Sequence, residues 1–275
     1  MNADPDLPNA EPSIACYGVP RPGEGEEMRV KGNAFLQAAL NGDSVHPATP
    51  RDPESIAEAA RSAVAAGAHS VHVHAFDENG RETLAARFCA ETIRSIRAAC
   101  PGIPISLTTS AAIEPDPERR LGTIRSWQEL PDLVTANQGE AGIVLLCEEL
   151  LSRGVAIEVG LLSVDDARLF VRSGLAARCR RVLIEPLDLD SDVAVRHAVE
   201  MEAIVMSAGI RLEQVHHGNG AACWAVNRRA LAKGHGIRTG LEDVTVLPDG
   251  TPARDNAELV AAAVALIASQ ARMSP

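Results

Sequence analysis

The chain has no cationic excess: 26 lysines and arginines face 37 aspartates and glutamates, a formal net charge of −11. Nucleic acid and anionic membrane both call for a basic face, so neither partner is expected, and any anionic ligand must be held by a few local groups. There is no CxxC pair and no compact cysteine framework. Cys16, Cys89, Cys100, Cys147, Cys179 and Cys223 are scattered, the pattern of reduced thiols in a cytoplasmic protein, and none is assigned a role. The opening residues lack a basic segment followed by an apolar one, and no run of about eighteen apolar residues occurs. A cytoplasmic chain without a membrane span is therefore expected. No G-x-G-x-x-G follows the first strand-like run, which disfavours a doubly wound dinucleotide fold.

What the sequence does contain is enough apolar content, 46% of 275 residues, to bury one large core. Residues 1–27, with their prolines and acids, read as an N-terminal extension that is loose or laid over the body, and residues 28–275 as the main domain. From residue 28 onward, short β-rich runs alternate with alanine-rich amphipathic ones. The strand candidates are VKGNAFLQAAL, HSVHVHAF, IPISLTTS, PDLVTAN, VAIEVGLL, RRVLIEP, LEQVHHG and GIRTGLEDV. Between them lie helical patterns such as DPESIAEAARSAVAAG and DSDVAVRHAVEMEAIVMSAG, each with an acidic start and a glycine stop. Eight such units predict a (β/α)8 TIM barrel, whose usual size is about 250 residues.

In such barrels chemistry collects where strands finish. His72 and His74 fall at the end of strand two, Thr108, Thr109 and Ser110 at strand three, and Thr135 and Asn137 at strand four. Glu158 lies in strand five, Glu185 closes strand six, His216 and His217 close strand seven, and Arg238, Glu242 and Asp243 are carried by the last strand. Alternation along a strand puts Val71 and Val73 on one face and both imidazoles on the other. Two histidines supply two of the three protein ligands of a catalytic zinc, whose fourth position stays open. Barrel closure sets strands eight and two about 10 Å apart, two interstrand spacings, so Glu242 is a candidate third ligand, with Gly240 expected to leave open volume beside it. The competing reading of Glu242 is a surface carboxylate at a strand end. Asp243 and Arg238 read as an acid kept ionised to act as a base, or as a structural ion pair. The glycines of HHGNGAACWAV can bare helix-start N–H groups to an anion, and Arg228 and Arg229 can meet an anionic tail or simply face solvent.

GAHSVHVHAFDENGRET, together with GIRTGLEDVTVLPDGTPARDNAELV, resembles the β-keto acid cleavage enzymes, whose founding activity is the 3-keto-5-aminohexanoate cleavage enzyme; FLQAALNGDSVHPATPRDPESIAEAA is similar to that family's first strand and helix. The resemblance implies a zinc-dependent (β/α)8 barrel, usually a homotetramer, that converts a β-keto acid and acetyl-CoA into acetoacetate and a new acyl-CoA. It implies metal ligands His72, His74 and Glu242, and a catalytic dyad of Asp243 with Arg238. It further implies that Thr108, Thr109 and Ser110 grip the substrate carboxylate, while Thr135 and Glu158 approach the substrate. Phe76 stands where the family usually has arginine, Ser110, Ala111 and Ala112 replace a glycine pair, and the segment between strands four and five is short. These departures bear on the substrate pocket. The alternatives are a metal-dependent hydrolase of the amidohydrolase kind and a non-catalytic, metal-stabilised binding protein. The hydrolase is disfavoured because HxH falls on strand two, and strands five and six offer Glu158 and Glu185 but no histidine.

Overall fold

The computed structural model describes residues 34–273, so the expected extension over residues 1–27 lies outside the described residues. In chain order the main elements are β1 (Leu36–Ala39), α1 (Pro53–Ala66), β2 (Ser70–Val73), α2 (Ala86–Ala99), β3 (Ile105–Thr108), α3 (Pro117–Arg125), β4 (Leu133–Asn137) and α4 (Ile143–Ser152). They continue as β5 (Ala156–Leu161), α5 (Val164–Ser173), β6 (Arg181–Ile184), α6 (Ser191–Ser207), β7 (Glu213–His216), α7 (Ala222–Ala232), β8 (Gly236–Thr239) and α8 (Asn256–Met273). All eight strands pair in parallel, each with its sequence neighbour, and β8 closes onto β1. This is a (β/α)8 TIM barrel, with a strand inside each predicted run. Among the described residues no helix is long and apolar enough to cross a membrane.

Local chemistry sets the helix ends. The Asp52 carboxylate accepts the N–H groups of Glu54 and Ser55 at the start of α1, and Gly67, with φ at +119°, ends that helix. Asp190 caps α6 through the Val193 N–H. The main core lies between sheet and helices. Val71, Val73, Leu107, Val134, Ile157 and Val182 meet Ile56, Ile93, Ile96 and Phe170, all fully buried. Each such side chain contributes about 1.5–3 kcal/mol by leaving water, and alternation then commits the opposite strand face to the barrel interior.

At strand eight the structure corrects the sequence reading. β8 stops at Thr239, and Glu242 and Asp243 sit on the turn that follows. Nor is there open volume at Gly240: a Cβ there would lie 1.9 Å from the Ala39 carbonyl oxygen. The glycine lets the turn press against the end of β1, and the Asp243 and Val244 N–H groups bond back to the Gly240 carbonyl. Turn geometry, rather than strand parity, aims both acids at the barrel mouth.

Candidate active site

Three donors converge where β2 and the β8 turn flank β1. Nε2 of His72 and Nε2 of His74 each lie 3.6 Å from Oε1 of Glu242, and ligand atoms of the three residues all fall within 4.8 Å of one another. The Glu242 stem packs against the β1–α1 loop, where a Cβ on Gly42 (φ +61°) would come within 2.6 Å of it. His72 lies on β2 and His74 one residue past its end, and the two rings meet edge to face with centroids 5.3 Å apart.

The other ring nitrogens are engaged. Nδ1 of His74 lies 2.6 Å from Oε1 of Glu82, and Nδ1 of His72 lies 3.2 Å from the hydroxyls of Ser106 and Thr135. Asn41 clamps the His74 backbone, accepting its N–H at 2.8 Å and donating to its carbonyl at 3.0 Å. Partners on Nδ1 leave Nε2 to face Glu242, the arrangement that fixes imidazoles for metal binding. Asn41 and Glu82 were missed in the sequence. An Asn79–Gly80 turn signal was there: the chain doubles back after Asp77, bridging Phe76 to Glu82.

Charge is concentrated here. Burial pushes the His72 imidazole down to about 3, Glu242 only partly resisting, so it is neutral. Burial also opposes a charge on His74, but the Glu242 and Glu82 carboxylates outweigh it and raise it to about 9. Glu242 is held well below the usual carboxylate range, since Arg238 and then His74 overcome its burial. Oε2 of Glu242 is buried with no hydrogen-bond partner among the described residues.

Arg238, 1% exposed on β8, joins the two acids. Its Nη2 donates to Oε1 of Glu242 at 2.6 Å and to Oδ1 of Asp243 at 2.7 Å, and its Nε donates to Oδ2 of Asp243 at 3.1 Å. Burial would raise the Asp243 carboxyl; Arg238 and then His217 hold it below its ordinary value.

The other predicted residues divide. Hydroxyls of Thr108 and Ser110 accept the backbone N–H groups of Ser110 and Ala112, leaving their O–H groups free to donate. Thr109 donates its proton to the Thr135 carbonyl at 2.7 Å. Glu158 is fully buried and paired in register with Arg181 at the first position of β6, below the mouth. It accepts from Gln37, Ser106 and Thr135, and so lies behind His72 rather than beside the ion-binding donors. Arg228 is exposed, and Arg229 is tied to Glu202.

A second group of Glu202, His216 and His235 has metal-like spacing. There Gln214 holds Nε2 of His216, and Arg229 pairs with Glu202 where a cation would sit. The described cysteines are all buried and unbridged. Burial pushes the thiols of Cys89, Cys147, Cys179 and Cys223 up to about 12, making them poor nucleophiles.

Residues 33–179 and 193–273 match the family model for beta-keto acid cleavage enzyme. The chain belongs to that family. It is 26% identical over 256 residues to the 3-keto-5-aminohexanoate cleavage enzyme of Fusobacterium nucleatum subsp. nucleatum, covering 84% of this chain and 90% of that protein. The same enzyme from Acetoanaerobium sticklandii is 24% identical over 251 residues, again covering 84% and 90%. Among solved structures, a ternary complex of ObcA with C4-CoA adduct and oxalate superposes with a TM-score of 0.62 at 17% identity. That match covers 78% of this chain but only 62% of ObcA, and it shows the fold alone. In this cleavage-enzyme chain the matched segments carry both the histidine pair and the Arg238–Asp243 turn.

Proposed function

We propose that this β-keto acid cleavage enzyme is zinc-dependent and condenses a β-keto acid with acetyl-CoA, giving acetoacetate and a new acyl-CoA. The observation that carries the proposal is the joining, through Arg238, of a three-donor cluster to a paired aspartate. The donors fit zinc: each imidazole Nε2 lies 3.6 Å from the carboxylate oxygen, close to the ~3.4 Å donor edge of a tetrahedral ion with ~2.1 Å bonds, and all three ligand atoms fall within 4.8 Å of one another. The unpartnered Oε2 of Glu242 supports the same assignment. ObcA, a structural neighbour, has been captured with oxaloacetate and with a C4-CoA adduct, ligands of the proposed chemical class.

A bound zinc supplies Lewis-acid polarisation of the ketone. Asp243, ionised by its pairing with Arg238, accepts the proton from the carbon between ketone and carboxylate. Thr108 and Ser110 donate their O–H groups to the substrate carboxylate, Thr109 braces β3 against β4, and Thr135 with Glu158 supports the site from behind. The carbon nucleophile attacks the acetyl thioester, the released CoA thiolate adds to the original ketone, and carbon–carbon cleavage frees acetoacetate. Its methylene recovers the proton from Asp243. A homotetramer in the cytoplasm completes the proposal, on family resemblance. No observation favours a hydrolase or a binding protein.

The test is incubation of the zinc-loaded protein with acetyl-CoA and a panel of β-keto acids, read by mass spectrometry. Acetoacetate and one new acyl-CoA should form in equal amounts; no acyl-CoA beyond acetyl-CoA with any acid would defeat the proposal. Metal binding itself should be proton-linked. His74 is raised to about 9 and so carries a proton below that pH, which the ion must displace, whereas His72 and Glu242 are already in their ligating forms. Titration of metal-free protein with zinc at pH 7.5 should release about one proton per ion, with affinity rising about tenfold per pH unit up to about 9. Calorimetry in buffers of different ionisation enthalpy measures this, and a pH-independent affinity would exclude His74 as a ligand.

A further inference from the structure

His217 has no task in that chemistry, yet it is fully buried beside the dyad. Its Nδ1 lies 3.5 Å from Oδ1 of Asp243 and its Nε2 lies 3.3 Å from Oε2 of Glu185. Among the described residues neither nitrogen has a hydrogen-bond partner, so the ring's polar neighbours are these two carboxylates at ion-pair distance. The ring is set by the barrel wall, since the His217 N–H donates to the Ile184 carbonyl at the end of β6. Glu185, the next residue, is 19% exposed at the rim. Carboxylates on both sides call for a proton on both nitrogens. Burial and Arg238 oppose that charge, but Glu185 and Asp243 outweigh them and hold the ring at about 9.

Arg238 grips both Asp243 oxygens, Nη2 on Oδ1 at 2.7 Å and Nε on Oδ2 at 3.1 Å, but the same Nη2 also serves Glu242 at 2.6 Å, so its hold on Oδ1 is divided. Oδ1 of Asp243 faces Arg238 Nη2, Arg238 Nε at 3.3 Å and His217, whereas among the described residues Oδ2 receives only the Arg238 Nε at 3.1 Å. We propose that His217, anchored by Glu185, is a positioning residue that pins Oδ1 of Asp243 and so presents Oδ2 to the substrate carbon. The role rests on the proposed cleavage chemistry and extends it to a Glu185–His217–Asp243 chain. Asp243 remains the group that receives the proton; His217 acts through it. A carboxylate held by a shared guanidinium alone loses orientation, and misplacement by about 1 Å costs up to ~100-fold in rate.

The experiment isolates proton removal. Zinc-loaded wild type, His217→Gln, His217→Phe and Glu185→Gln are mixed with a β-keto acid in D2O without acetyl-CoA, and α-hydrogen exchange above the protein-free rate is followed by NMR. His217→Phe should slow exchange and kcat together by about 100-fold and His217→Gln, which keeps one N–H donor, by about 10-fold, with KM within about twofold. Zinc content should be unchanged, and Glu185→Gln should show the same pattern more weakly. If His217→Phe fails to fold, the glutamine variants still decide. Wild-type exchange rates in zinc-loaded variants would overturn the role of His217 while leaving the cleavage chemistry standing. Loss of exchange in proportion to lost zinc would also overturn it. No exchange by wild type would remove both.

Discussion

Glu242→Gln should strip the protein of its metal. The substitution keeps the length of the side chain and its packing against Gly42, and it leaves Arg238 a carbonyl acceptor, so the turn after β8 is retained. What it removes is the anionic oxygen facing two imidazole Nε2 atoms at 3.6 Å. Loss of a partner one step behind a metal ligand already costs 10–100-fold in affinity, so loss of the ligand itself should cost at least ~100-fold. Purified Glu242→Gln analysed by inductively coupled plasma mass spectrometry should carry well under a tenth of the wild-type zinc, and turnover should vanish with it. Were Glu242 only an ion-pair partner for Arg238, zinc content would equal that of wild type.

Asp243→Asn should produce the opposite division, retaining zinc while losing turnover. The amide oxygen can still accept from Arg238, and His72, His74 and Glu242 are untouched, so one zinc per chain is expected as in wild type. An amide cannot accept the substrate proton, and general-base contributions of this kind are worth about 10²–10⁴ in rate. The loss should fall on kcat with KM nearly unchanged, because Asp243 acts in the transition state more than in holding substrate. Measurable wild-type kcat in zinc-replete Asp243→Asn would remove the base from Asp243. Read together, the two variants separate the ion-holding acid from the proton-accepting acid, although the residues are adjacent in the chain and share one guanidinium.

Local pattern made much of this legible. The eight strands fall within the eight β-rich runs, Asp52 and Gly67 bound α1 where an acidic start and a glycine stop predict it, and the rings of His72 and His74 meet, as alternation predicts. The family could be recognised from two short stretches far apart in the chain. Where the sequence reading erred, the error lay in extending local rules past the end of an element. Parity placed Glu242 and Asp243 on strand eight, but the strand ends at Thr239 and a turn aims them. Gly240 suggested space, but the space belongs to the Ala39 carbonyl.

The barrel and the histidine pair were thus readable from the residues alone, since periodicity and capping act over a few residues and are written in consecutive letters, while the acids that join the pair were named by barrel closure and family resemblance rather than by local pattern. It took the closed barrel to show that Glu82 and Asn41 hold His74, that Thr109 spends its proton on β4, that Glu158 lies beneath His72, and that Glu185 and Asp243 flank His217. Those relations span strands brought together by closure and stagger, and no local spacing encodes which side chain will face which across a barrel.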